Sequence, residues 1–102
     1  MIHVLAIITA QPGKRDEVLA VFRANMPAVH AEEGCIEYGP AIDTEGAGAI
    51  QTPLGPDSFV VIEKWSSMDT LKAHGASAHM AAYAAAVKPM LAGRVIHVLS
   101  PA

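Results

Sequence analysis

A single cysteine, Cys35, stands in a chain of 102 residues, so no internal disulfide can form and a reducing, cytoplasmic setting is the expectation. Basic residues are also sparse. Seven Lys and Arg are scattered among ten Asp and Glu, for a formal charge of −3. Without a basic stripe or an interleaved aromatic row, nucleic acid is not an expected partner. The longest apolar runs, Val4–Ala10 (broken only by Thr9) and Met80–Val87, fall far below the roughly 18 residues of a membrane span, so no membrane partner is expected either. The N-terminus carries no basic head and no cleavage site of a signal peptide. Also missing are a glycine-rich dinucleotide fingerprint, a phosphate loop, a cysteine cluster and a nucleophile elbow. An oxidoreductase made of this chain would have to work without a bound flavin, nicotinamide or metal.

What is present is apolar. Hydrophobic residues make up 52% of the chain, high for a length that has room for one domain, residues 1–102, and one core. A surplus of this kind implies an exposed patch that something else covers. Strands are expected at His3–Thr9, Cys35–Asp43, Ser58–Trp65 and Arg94–Ser100, where β-branched and apolar residues cluster. Gly39-Pro40 suggests a bulge or an edge position in the second. A first helix opens at Lys14, with Val18, Phe22, Met26 and Val29 at helical spacing. Pro27 should kink or end it, and Gly34 should cap it. A second helix, capped by Ser66 or Ser67 with Asp69 as a capping-box partner, should run unbroken through an alanine-rich segment to about Lys88, before Pro89. The Gly- and Pro-rich stretch Thr44–Asp57 has the length of a lid or binding loop.

The order β-α-β-β-α-β is the ferredoxin-like α+β arrangement, a four-stranded antiparallel sheet with both helices on one face. Its strands are apolar on both sides. Val4 and Ala6 oppose Leu5 and Ile7, Phe59 and Val61 oppose Val60 and Ile62, and Val95 and Leu99 oppose Ile96 and Val98. Two helices cover one face, so a second copy of the sheet is expected over the other, giving a homodimer with a small-molecule pocket on the face away from the helices.

Among residues that carry chemistry, Glu63 and Trp65 share a strand face with Phe59 and Val61. A carboxylate on an apolar face gains a raised pKa, which suits proton transfer, although a strand-end ion pair would explain it equally well. On one continuous helix His74 and His79 point about 140° apart, a poor metal pair, so no metal site is expected. Each histidine also fits a purely structural role. His79 and Tyr83 share a helix face at i and i+4. His3 and His97 lie on strands expected to be central, and Tyr38 is a candidate hydrogen-bond donor to a ligand oxygen. Cys35 has no clear basic neighbour and reads as inert.

Taken together, Pro12-Gly13, the EEGCxxY run from Glu32 to Tyr38, SxxxIExW from Ser58 to Trp65 and LxxHxxxxHMxxY from Leu71 to Tyr83 resemble the antibiotic biosynthesis monooxygenase family. GPDSFVVIEKW, HMAAYAAAVK and the Gln51-Thr52 loop are similar to its branch of small bacterial quinol monooxygenases. The resemblance implies a dimeric α+β barrel that oxidises a hydroquinone or related small aromatic with O2 and no cofactor. Proton handling would fall to His74 or Glu63, orientation to Trp65 and Tyr38, and the pocket mouth to His79 and Tyr83, with Val61 and Phe59 in its wall. The aromatic-polyketide branch has an Asn where Val61 stands, and the haem-degrading branch an Asn on its first strand, where His3–Thr9 has none. A branch that isomerises a phosphorylated sugar would need a cationic cradle, for which Arg94, Lys64 and Lys72 are the candidates. An isomerase or degradative enzyme for a small metabolite, and a non-catalytic small-molecule-binding dimer, remain alternatives on the same fold.

Overall fold

Alternating burial along Ser58–Trp65 shows how the sequence builds its layers: Phe59, Val61, Glu63 and Trp65 are buried while the residues between them are partly open. The computed structural model describes residues 1–102. It comprises strand β1 (Ile2–Ala10), helix α1 (Arg15–His30), strands β2 (Cys35–Ala41) and β3 (Ser58–Trp65), helices α2 (Met68–Gly75) and α3 (Ala78–Val87), and strand β4 (Leu91–Leu99). Short 3-10 turns lie at Gly48–Ile50 and Lys88–Met90. The sheet is four-stranded in the order β2-β3-β1-β4, and every neighbouring pair is antiparallel, the ferredoxin-like α+β architecture.

Antiparallel register fixes the faces. Val4 lies opposite Glu63 and Val98, and Ala6 opposite Val61 and Ile96, so these side chains share the helix-covered face. Val4, Ala6, Ile8 and Ala10 join Val18, Leu19, Phe22 and Val29 of α1 in the core. Phe22 stacks on Tyr38 at 5.1 Å and meets Phe59 and Tyr83 edge-on. The opposite face, with Leu5, Val60 and Ile62, carries no helix.

Several expectations are corrected. β4 lies at the sheet edge, so His97 is not on a central strand. One side of β3 is already paired with β2, and the returning chain must cross to the free side of β1. Pro27 does not end α1; the helix continues three residues further, to His30, with Val29 fully buried, and its C-cap is Ala31 rather than Gly34. The register shift in β2 falls between Cys35 and Glu37, not at Gly39-Pro40, though the edge position is as expected. Ser67 caps α2, with Thr70 and not Asp69 completing the capping box. The alanine-rich helix is two helices. Gly75 closes α2, and the Ser77 hydroxyl accepts from the Met80 amide to start α3. No helix is long and apolar enough to cross a membrane.

Candidate active site

Glu63 and Trp65 stand two residues apart on β3 and therefore point the same way. The Trp65 indole Nε1–H donates to Glu63 Oε1 at 2.8 Å, with Trp65 wholly buried and Glu63 7% exposed. Pairing of β2 with β3 sets Tyr38 opposite Glu63 on the same face. From the end of α2, His74 lays its ring against Trp65 at 4.6 Å and edge-on to Tyr38 at 5.4 Å. Its Nδ1–H donates to Glu32 Oε2 at 2.7 Å, while its Nε2 stands 3.9 Å from Glu63 Oε1, too far for a direct hydrogen bond. One buried imidazole thus lies between two carboxylates.

Burial dominates the electrostatics here. It holds the Glu63 carboxyl above the ordinary range; the Trp65 N–H and His74 pull the other way, and Glu32 adds to the rise. Desolvation, reinforced by Glu63, raises the Tyr38 phenol far above its usual value, and the Tyr83 phenol is pushed up to about 12 chiefly by burial. The Cys35 thiol is also raised by burial and by the nearby Glu32 and Glu63 charges, which suits an inert thiol.

A cavity of about 790 Å³ opens between the sheet and the helices, so the pocket is on the helix-covered face and not on the face away from it. Strand periodicity is symmetric and does not say which face the helices take, whereas α2 and α3 stand off from β4 and leave room there. Of the expected site residues, Glu63, His74, Tyr38, Tyr83 and Val61 line this cavity. Trp65 and Phe59 sit behind its wall, wholly buried, and His79 lies outside the lining. No residue of the stretch Thr44–Asp57 borders it either. That loop is tied elsewhere, by the Asp57 carboxylate accepting from the Gly13 amide and by Arg15 donating to the Gly55 carbonyl. Lys88 and Arg94 also line the cavity.

Glu32 is the residue that sequence reasoning missed. It appears there only inside the EEGCxxY run, yet its Oε2 meets His74 Nδ1 and stands 3.3 Å from His79 Nε2. The donor atoms of Glu32, His74 and His79 all lie within 4.8 Å of one another, close enough to share a cation. The two histidines do not diverge by the expected angle of about 140° because they sit on separate helices, and the break at Ala76-Ser77 turns both towards Glu32.

A sequence profile of the antibiotic biosynthesis monooxygenase family matches residues 1–86. The "Probable quinol monooxygenase YgiN" of Escherichia coli strain K12 is 40% identical over 103 aligned residues, covering 99% of this chain and 98% of that protein. Among solved structures, Rv0793 from Mycobacterium tuberculosis aligns with a TM-score of 0.80 at 25% identity over 99% of this chain and 94% of its own. A crystal structure described as an antibiotic biosynthesis monooxygenase aligns with a TM-score of 0.82 at 21% identity, over 100% of this chain and 99% of its own, a likeness of fold.

Proposed function

The chain belongs to the antibiotic biosynthesis monooxygenase family, and from that premise we propose that it oxidises a hydroquinone or related small aromatic with O2, without a bound cofactor, in the cavity beneath α2 and α3. The observation that carries this reading is the buried Glu63 carboxylate in an apolar wall, held by Trp65 and adjoining His74. Ground-state oxygen reacts slowly with closed-shell molecules, but a deprotonated hydroquinone donates an electron to it directly. A hydroquinone and O2 together give a hydroxyquinone and water, so the substrate supplies every electron and no reductant is required. The protein has to remove a proton, exclude water and hold the ring.

Glu63 or His74 accepts the proton, and Tyr38 orients a ring oxygen. Trp65 acts through Glu63 rather than by stacking on the substrate, and Tyr83 and Val61 shape the apolar wall. Phe59 supports that wall from behind, and His79 borders the site by way of Glu32. Two copies of the chain, in the cytoplasm, are the working form; the support is the uncovered outer face and the exposed strand β4. A phosphorylated sugar is a weaker fit, since of its three candidate cations only Arg94 lines the cavity and Lys64 pairs with Glu37 at 3.5 Å.

Oxygen uptake with a panel of hydroquinones, in chelator-treated buffer, tests the reading. The rate should exceed autoxidation and fall by about 10²-fold or more in Glu63→Gln, within the range of a lost general base. In Trp65→Phe, which keeps the ring and deletes the 2.8 Å hydrogen bond, kcat should fall with KM little changed. Turnover at the wild-type rate in both folded variants would remove the oxygenase assignment.

A further inference from the structure

We propose that Glu32, His74 and His79 form a binding site for a divalent transition-metal ion, with zinc(II) as its representative. The three donors come from three separate places in the fold: the turn after α1, the last turn of α2 and the first turn of α3. Their atoms converge to 2.7 Å for Glu32 Oε2 and His74 Nδ1 and 3.3 Å for Glu32 Oε2 and His79 Nε2, with all three within 4.8 Å. Around an ion with bonds of about 2.1 Å, donors in tetrahedral or octahedral arrangement stand roughly 3.0–3.4 Å apart. The cluster accepts an ion by giving up the proton on Nδ1, widening its shortest edge by roughly half an ångström and drawing the two histidine nitrogens, at most 4.8 Å apart, inward by a movement of the partly exposed His79.

Donor chemistry selects the ion. Two imidazoles and one carboxylate suit zinc(II), iron(II) or cobalt(II) better than calcium or magnesium, which prefer sets of oxygen donors. Three protein ligands leave at least one position for water or another small ligand.

Two independent features support the site. The far nitrogen of His74 faces the Glu63 carboxylate at 3.9 Å, outside hydrogen-bond reach but near enough for its charge to favour a cation on the other side of the ring, and that carboxylate is itself held by the Trp65 N–H. On the outer side, a surface depression lined by Glu32, Glu33, Asp69, Ser67, Thr70 and Ala73 reaches the cluster. It holds three carboxylates and no basic residue, so it draws a cation inward and gives it an entry path. The seam between the helices is held by Ser77 Oγ, which donates to the His74 carbonyl at 2.8 Å; its 3.3 Å contact with His79 Nε2 is given up when that nitrogen takes the ion.

The experiment is a calorimetric titration of zinc chloride into the full chain after dialysis against a chelator. Saturation at one ion per chain is expected, with a higher Tm in its presence. His79→Ala, at a side chain 30% exposed, and Glu32→Gln should each weaken binding by more than about tenfold, while the exposed His97→Ala should not change it. Failure to saturate at one ion per chain, or undiminished binding in His79→Ala and Glu32→Gln with folding verified by circular dichroism, would mean that the three side chains form a hydrogen-bonded cluster only. Because turnover is measured with chelator present and zinc binding without substrate, the failure of either reading leaves the other standing.

Discussion

Gly34 illustrates how one residue can be dictated by its neighbours. Its φ is +79°, and a Cβ there would fall 2.5 Å from Ser66 Oγ and 2.5 Å from Thr70 Cγ2, while its carbonyl accepts from the Ser66 amide. Gly34→Ala adds the cost of a left-handed alanine to a clash at the start of α2. A loss of about 2–3 kcal/mol is expected, read as a Tm lower by roughly 10–20 °C. The sequence marks this glycine as special but for a different reason, as a helix cap. Glu63 and Trp65 were legible as a pair because a strand repeats every two residues, which puts them on one face whatever surrounds them. Glu32 was not, because its contact with His74 spans 42 positions and leaves no periodic trace in either segment.

At the level of elements, strands were read better than helix ends. The bounds of β3 agree with the sequence reading residue for residue, since Ser58–Trp65 is flanked by Asp57 and Ser66 and has no competing pattern. The break between α2 and α3 escaped because alanine favours helix so strongly that Gly75 and Ser77, a stop and a start, were outweighed. The loop before β3 carries its own anchor. The Asp43 carboxylate accepts from the Leu54 and Gly55 amides at 2.8 and 3.0 Å and from the Gln51 side chain. These bonds, led by that from Leu54, hold its carboxyl below the usual value of 3.8. A depressed folded value means that the loop is favoured above that usual value and that this contribution disappears as the pH falls through the lower, folded one. Thermal melts in acid should accordingly show a shallower decline below about pH 4 for Asp43→Asn than for the parent chain.

As a whole, the molecule is a slab, 37 × 35 × 20 Å, with one helical layer on one sheet. The two-sided hydrophobicity of the strands was plain in the sequence; which side the helices cover was not, and the pocket was expected on the wrong face for that reason. In β4, Val95 is 53% exposed and Leu99 43%, and neither has a helix above it. An apolar edge strand left in this condition invites association. Sedimentation should report a dimer at micromolar concentration. Val95→Lys, on the face away from the cavity, should shift it towards monomers while far-ultraviolet circular dichroism stays unchanged; a parent chain that sediments as a folded monomer would refute the paired assembly.

The two residues Ala76 and Ser77 between the last two helices have a consequence for how such chains can diverge. Adding or deleting one amino acid there would change where and at what angle α3 starts relative to α2, displacing His79 from Glu32 and Tyr83 from the cavity. Hydropathy and composition would hardly register the event. Chains of this fold that differ in the length of that joint by a single residue would have different interiors, however alike they look when aligned.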